Sequence, residues 1–393
     1  MTRPDPTPTA DELHEYRHRI RDWLAVREPP QISGYWLNHV PALQAWQRVL
    51  WEGGLVGVAY PTEFGGRGLT LLHQAICNEE LVRRRAPTAI GGPGVDVVAP
   101  MLIQFGSRDQ CARLLPPLLS GDELWSLGFS EPEAGSDLAA VATTAERDGD
   151  EFVLNGCKIW TGFAAFAKRV LVIARTDPAA AKHRGLSCFA VDFDLPGVDR
   201  RTLHEMTGES NAPITQFYRV FFNGVRVPAD ALIGEVNDGW RCVLWSLGRE
   251  RGPFVMRRQA ELEGHFAELL DVIKGRTLTE SQVEEIGRLS VLFDALRGQA
   301  MRTTRRMAER PGELFPEDSM DKLFYVYVDQ QLHHLGLELL GEYGGTRMVT
   351  PSGMDAHKYT VNYMYSRAGS IYSGTDQIQK NIVARRKLGL PGA

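Results

Sequence analysis

Val141-Ala-Thr-Thr-Ala-Glu-Arg-Asp-Gly-Asp-Glu-Phe-Val-Leu-Asn-Gly-Cys-Lys-Ile-Trp-Thr-Gly162 is the stretch that decides the fold. Val141, Thr143 and Ala145 alternate with polar or small neighbours, the period of a half-buried strand. Asp148-Gly149-Asp150 reads as a turn, after which Phe152 and Leu154 resume the alternation. Asn155-Gly156 is a second turn signal, and Cys157–Trp160 continues as strand. Further β-rich runs lie at Val170–Ala174, Ser187–Phe193 and Phe217–Val227, the last broken at Asn223-Gly224. Short strands with close turn signals predict an antiparallel sandwich or barrel of about 110 residues.

Both flanks read as helical. Thr9 and Glu12 fit a capping box, and Leu13, Tyr16, Ile20, Trp23 and Leu24 follow at helical spacing. Leu43, Trp46, Val49 and Leu50 mark a second helix, stopped at Gly53-Gly54. Runs over Leu71–Val82, Val95–Phe105 and Asp109–Leu119 complete this region. Beyond Gly239 the spacing predicts long helices over Trp240–Leu270, Ser281–Arg310 and Asp318–Gly341, with a last one near Asp376–Leu388. Gly275, Pro311-Gly312 and Gly344-Gly345 punctuate them. The expected architecture is α+β and multidomain: N-terminal helices over residues 1–121, a central β-domain over 122–235, and a C-terminal four-helix bundle over 236–393.

Composition excludes several classes. The 393 residues are 43% hydrophobic and 24% charged, with net charge -5, so no basic field attracts nucleic acid. Five widely spaced cysteines form no CxxC and no metal spacing, which suits reduced structural thiols. The polar, Pro-rich start does not read as a signal peptide, and no apolar run approaches the roughly 20 residues of a membrane span. A cytoplasmic protein without a metal, a nucleic acid or a membrane partner is expected. His333-His334, adjacent on a helix, point in different directions and suit structural roles. Arg83-Arg84-Arg85 reads as a solvated helix end, with binding of a phosphate group as the alternative. Tyr325, Tyr327 and Leu332 read as bundle core.

Three segments carry chemistry. Gly128-Phe-Ser-Glu-Pro-Glu-Ala-Gly-Ser-Asp137 offers a glycine and short hydrogen-bonding side chains, as a loop close to a phosphate or planar cofactor needs. Asn155-Gly-Cys-Lys-Ile-Trp-Thr-Gly162 puts a Trp near a strand end, where it is either core or a wall for a flavin. Ile371-Tyr-Ser-Gly-Thr-Asp-Gln-Ile-Gln379 reads as a loop entering a helix capped by Thr375 or Ser373. Taken singly, the first is also an ordinary turn between domains, the second a strand end with a core Trp, and the third a loop entering a helix.

In this order and spacing, the segments make the chain resemble the acyl-CoA dehydrogenase family. The resemblance runs from about Leu55 to Pro391. It takes in GLVGVAYPTEFGGRGLT, the LP…SG stretch at Leu115–Gly121, FSEPEAGSDLA, NGCKIWTG, VFFNGVRVPADALIGEVNDGW and IYSGTDQIQKNIVARRKLGLP. It implies FAD between the β-domain and the C-terminal helices. By position, Phe129 and Ser130 meet the flavin ring, and Ser136 lies beside the pyrophosphate and the CoA arm. Trp160 packs on the flavin, and Thr161 or Gly162 approaches its N5. Thr375 and Gln377 hold the adenosine half.

The implied reaction takes an α-proton from an acyl-CoA thioester and passes a hydride from the β-carbon to flavin N5. Many members carry the base, a Glu, just before the Gly-Thr of the last motif; this chain has Ser373 there. A neutral serine is no such base without an activating partner, though its backbone N–H can still donate to the thioester oxygen. Isovaleryl- and long-chain-type members carry the base earlier in the bundle. The match here is Leu244-Trp-Ser-Leu-Gly-Arg-Glu-Arg-Gly252, which offers Glu250 as the base and Arg251 as a residue shared by both types. Glu209 and Asp376 are weaker carboxylate candidates. The family's Arg-x-x-Phe-Gly motif, sought at Arg258–Ala267, is absent, and its Gln-x-x-Gly-Gly pattern is altered at Glu338–Glu342. Both would complete a neighbour's FAD site. The expected partners are therefore an acyl-CoA, an electron-transfer flavoprotein or similar acceptor, and either copies of this chain or a related subunit in a heterotetramer. The resemblance to steroid-type members favours a bulky or branched acyl group. Two alternatives stay open: a flavoenzyme with a non-CoA substrate or another reaction, and a non-catalytic subunit.

Overall fold

The computed structural model describes residues 8–32, 36–207, 214–310, 313, 315–341 and 356–391, with the backbone alone at 249–254. The N-terminal region holds α1 (Ala10–Ala25), α2 (Val40–Glu52), α3 (Leu71–Arg83), α4 (Ala99–Phe105) and α5 (Arg108–Ser120). The Thr9 capping box forms: Glu12 N donates to Thr9 Oγ1 at 3.2 Å, and Thr9 N donates back to the Glu12 carboxylate at 2.7 Å. A wide-turn segment, Gly94–Val98, leads directly into α4.

The central strands are β1 (Trp125–Gly128), β2 (Thr144–Asp148), β3 (Glu151–Gly162), β4 (Arg169–Arg175), β5 (Leu186–Asp192), β6 (Val198–Leu203), β7 (Phe217–Pro228) and β8 (Leu232–Ile233). They form one sheet in the order β6-β7-β3-β2-β4-β5-β8, with β1 parallel to β4. The path ends at β6 and β8, so the sheet is not closed into a barrel, one of the two expected forms, and it is not wholly antiparallel. β4 is buried on both faces. Leu171 and Ile173 pack with the N-terminal helices, while Val170, Val172 and Ala174 pack with Phe152, Phe189 and Phe222. Its run is therefore apolar throughout, not alternating.

Asn155-Gly156 is not a turn. β3 runs unbroken through it, and the register slips opposite Asn223-Gly224. The extra residue is absorbed as a bulge: Gly224 takes φ +63°, and its N–H donates to Asn155 Oδ1 at 2.8 Å. Gly156 is needed because Thr143 crosses it. A Cβ at 156 would lie 2.3 Å from Thr143 Oγ1 and 2.6 Å from its Cα. Gly156→Ala should lower stability by about 1–3 kcal/mol, read from urea unfolding of the two proteins side by side.

The C-terminal helices are α6 (Gly239–Ile273), α7 (Glu280–Glu309), α8 (Glu317–Leu340), α9 (His357–Gly369) and α10 (Asp376–Ile382), the last extended by wider turns through Lys387. Leu262, Phe266, Leu269, Phe293, Leu296, Val328, Leu332 and Tyr359 form their shared core. α9 is absent from the periodicity reading, because its sequence mixes aromatic, β-branched and polar residues with no clear apolar stripe. Tyr325 and Leu332 are core as expected; Tyr327 is not, being half exposed and bonded to Arg288 at 3.1 Å. His333 and His334 diverge: the first is buried against Asp329, the second lies beside Tyr363. Arg83, Arg84 and Arg85 pair with Glu80, Glu28 and Asp271. All five cysteines are free thiols. No helix among the described residues is long and apolar enough to cross a membrane.

Asp321, fully buried on α8, is pushed up to about 6 by burial, against the hydrogen bonds from Thr303 and Gln299. The folded protein then holds this proton more tightly than the unfolded chain, whose value is near 3.8. Asp321 thus favours folding below that value, and the contribution is lost as pH rises through about 6. Asp321→Asn should flatten the melting-temperature profile across that window.

Candidate active site

The loop after β1 and the end of β3 are held together by one buried ion pair. Lys158, on β3, is fully buried. Its Nζ donates to Phe129 O at 3.1 Å and to Glu131 Oε1 at 2.8 Å. The Glu131 carboxylate also accepts from Ala142 N at 2.6 Å and Thr143 N at 2.9 Å. Ile159 N donates to Ser130 O at 2.9 Å. The backbone that carries Phe129 and Ser130 is therefore tied directly to the strand that carries Trp160. Burial alone would raise the Glu131 pKa, but the charge and hydrogen bond of Lys158 outweigh it and hold the carboxyl below its usual range. Burial pulls Lys158 down to about 8 despite Glu131.

At the end of β3, Trp160 adopts φ +58° and leaves its indole 59% exposed. Such a conformation is costly for a bulky residue and turns the ring out of the sheet. Thr161 is fully buried, and its Oγ1 has no partner among the described residues. Gly162 presents its carbonyl to Ser126 Oγ at 2.7 Å. Phe129 is buried, whereas Ser136 is exposed.

The second half of the site is the turn into α10. Ser373 takes φ +51° and Gly374 φ +82°. Thr375 Oγ1 caps α10 by accepting from Ile378 N at 3.2 Å, and Gln379 Nε2 ties the turn by donating to Ser373 O at 2.7 Å. Gln377 is exposed. Asp376 Oδ1 pairs with Lys322 Nζ at 3.0 Å. The two halves meet through Gln216. Its carbonyl accepts from Phe163 N at 3.2 Å, and its side-chain amide donates to Tyr365 OH at 3.1 Å. Tyr365 lies beside Tyr372, which precedes Ser373.

Glu250 and Arg251 lie within α6, but their side chains fall outside the described residues, as does Glu209 altogether. Arg258–Ala267 proves to be the interior of α6. The stretch that follows this helix is Lys274-Gly-Arg-Thr-Leu-Thr279, and it also lacks Arg-x-x-Phe-Gly. The residues that pattern reading missed are Lys158, Glu131, Gln216 and Tyr365. Lys158 and Glu131 lie inside quoted motifs, but nothing local says that they pair.

The chain matches three models of one family: "Acyl-CoA dehydrogenase, N-terminal domain" over residues 10–122, "Acyl-CoA dehydrogenase, middle domain" over 126–225 and "Acyl-CoA dehydrogenase, C-terminal domain" over 237–388. It is 34% identical to acyl-CoA dehydrogenase IpdE1 of Mycobacterium tuberculosis (strain ATCC 25618 / H37Rv), over 97% of this chain and 98% of that one. IpdE1 of Mycolicibacterium smegmatis (strain ATCC 700084 / mc(2)155) is 33% identical over the same shares. Among solved structures, the Tcur3481-Tcur3483 steroid ACAD superposes with a TM-score of 0.83 at 26% identity, covering 99% of this chain and 100% of that one. The ChsE4-ChsE5 complex from Mycobacterium tuberculosis gives 0.82 at 26% identity, with the same coverage. The chain belongs to the acyl-CoA dehydrogenase family. Members are FAD-dependent flavoprotein oxidoreductases of lipid metabolism, and FAD is the cofactor. The described residues suit that group. Trp160 offers an open aromatic face, and the buried Thr161 Oγ1 and Gln379 Oε1 are left without partners among the described residues.

Proposed function

We propose that this chain dehydrogenates an acyl-CoA thioester between its α- and β-carbons. The observation that carries the reading is the Gln216–Tyr365 bridge, which joins the Trp160–Gly162 strand end to the Tyr372–Thr375 turn. FAD supplies the hydride acceptor. Phe129, Ser130, Trp160, Thr161 and Gly162 hold the flavin, Ser136 serves the pyrophosphate and the CoA arm, and Thr375 and Gln377 hold the adenosine half. Glu250 removes the α-proton, and Arg251 assists binding. The backbone N–H of Ser373 donates to the thioester oxygen, where negative charge grows as the proton leaves. Closing the site around the acyl group expels water and raises the basicity of the carboxylate.

The proposed domain boundaries fall at 121/122 and 235/236. The altered Glu338–Glu342 pattern and the missing Arg-x-x-Phe-Gly favour assembly with a related, unlike subunit. The named two-protein neighbours, Tcur3481-Tcur3483 and ChsE4-ChsE5, support that reading. An electron-transfer flavoprotein or similar carrier reoxidises the enzyme. A visible spectrum of the purified chain, before and after anaerobic addition of mixed acyl-CoAs, tests the proposal. A flavin band that bleaches is the expected result. A bound flavin that never bleaches would point to another reaction, and a colourless folded protein to an obligate partner.

A further inference from the structure

The outward face of α1 takes no part in the site described above. It carries His14-Glu-Tyr-Arg-His18, two histidines four positions apart with a glutamate beside the first. Residues at i and i+4 are neighbours on one face of a helix. Both imidazoles are exposed, and they converge. His14 Nε2 and His18 Nε2 lie 3.0 Å apart, with the ring centres at 4.5 Å and the planes at 72°. A hydrogen bond between two solvated imidazoles gains little, because water offers each ring an equal partner. With both protons on Nδ1, the pair instead places two nitrogen lone pairs side by side at the surface.

The surroundings suit a cation. Asp11, Glu15 and Asp22 fall on the same outward arc of the helix as the two histidines, and all three are exposed. The arginines of α1 are turned to other partners. Arg17 pairs with Glu79 and Glu80, Arg21 pairs with Glu80, and Arg19 lies over the Tyr16 ring at 4.9 Å. The opposite face of α1 is buried through Tyr16, Ile20 and Leu24, so the two rings stand on an anchored helix.

The geometry selects among cations. Imidazole suits Zn²⁺, Cu²⁺ and Ni²⁺, whereas Mg²⁺ and Ca²⁺ take oxygen ligands. Two nitrogens 3.0 Å apart, each about 2.0–2.1 Å from a shared ion, subtend about 90–100° there. That is the angle between neighbouring ligands in a square-planar or octahedral shell, and it is narrower than a tetrahedral one. Among the described residues no third His, Cys, Asp or Glu completes a cluster.

We propose that His14 and His18 form a two-histidine chelate for a divalent transition ion, Ni²⁺ or Cu²⁺, with water in the remaining positions. Hydrolytic zinc sites built on H-E-x-x-H add a third protein ligand, so this pair is a binding site and not a hydrolytic centre. Cysteine spacing predicts no metal; the histidine pair is the departure from that expectation.

Isothermal titration of the untagged full chain with NiCl₂ and with MgCl₂ tests the chelate. Ni²⁺ should bind at one site per chain, and Mg²⁺ should not bind there. His14→Ala and His18→Ala should each weaken Ni²⁺ binding by about a hundredfold, as when one of two linked contacts to a ligand is removed. Each change is exposed and introduces a better helix former, so both variants should keep the native melting temperature. His18→Ala combined with Arg19→His keeps two histidines but moves one off the shared face, and it should bind no better than His18→Ala alone. His183→Ala, in an exposed turn, should leave binding unchanged. No Ni²⁺ binding by the native chain, binding that survives both single variants, recovery in the double variant, or Mg²⁺ binding as tight as that of Ni²⁺ would overturn the proposal.

Discussion

Lys158→Met should cost the fold about 3–5 kcal/mol and strip the protein of FAD, because it leaves Glu131 as a buried carboxylate without its cation. Lys158 is fully buried, and Glu131 is 8% exposed, so water cannot replace the lost partner. The same ammonium also holds Phe129 O, so the loop that presents Phe129 and Ser130 loses its tie to β3. Glu131→Gln should be milder, since an amide still accepts from one of Ala142 N and Thr143 N. Urea unfolding gives the first number, and the flavin-to-protein absorbance ratio after gel filtration gives the second. The acid limb of stability supplies an independent check. With its folded pKa held low, Glu131 stabilises fully above the unfolded value of about 4.5, and that stability is lost as pH falls through the folded value. Glu131→Gln should therefore shallow the acid limb. A Lys158→Met protein that keeps full stability and full flavin would show that the pair is incidental.

Glu250→Gln should slow anaerobic flavin reduction by about 10²–10⁴-fold while leaving the flavin spectrum intact, the range expected for removal of a general base. Ser373 has no carboxylate, and Asp376 is engaged by Lys322. Position 250 lies one helical turn beyond Ser246 on α6, and Ser246 is fully buried, with its hydroxyl on Val97 O at 2.5 Å. Stopped-flow reduction with an acyl-CoA that bleaches the native protein is the measurement. Reduction at the native rate would place the base on another residue, and a uniform loss of flavin would place Glu250 in cofactor binding.

Much of this was legible locally. The Thr9 capping box, the long helices and the turn at Asp148-Gly149-Asp150 follow from side-chain period and cap chemistry, which involve residues three or four apart. The order of the motif segments pointed to the family, and hence to FAD. β6 was not legible, because Val198-Asp-Arg-Arg-Thr-Leu203 is a charged strand at the end of the sheet path and carries no apolar alternation. Asn155-Gly156 misled, because the same dipeptide serves a hairpin turn or a strand crossing, and only the close approach of Thr143 selects the second.

The sequence by itself therefore determined the α–β–α order, the helix ends, and the absence of a Glu before Gly374 that turns attention to Glu250. Only the tertiary structure decided that the sheet stays open, that Lys158 reaches Glu131 across 27 positions, and that Gln216 reaches Tyr365 across 149. Periodicity reports which face of an element is buried. It carries no information about which distant polar group will be waiting there, since that pairing depends on packing that exists only once the chain has folded.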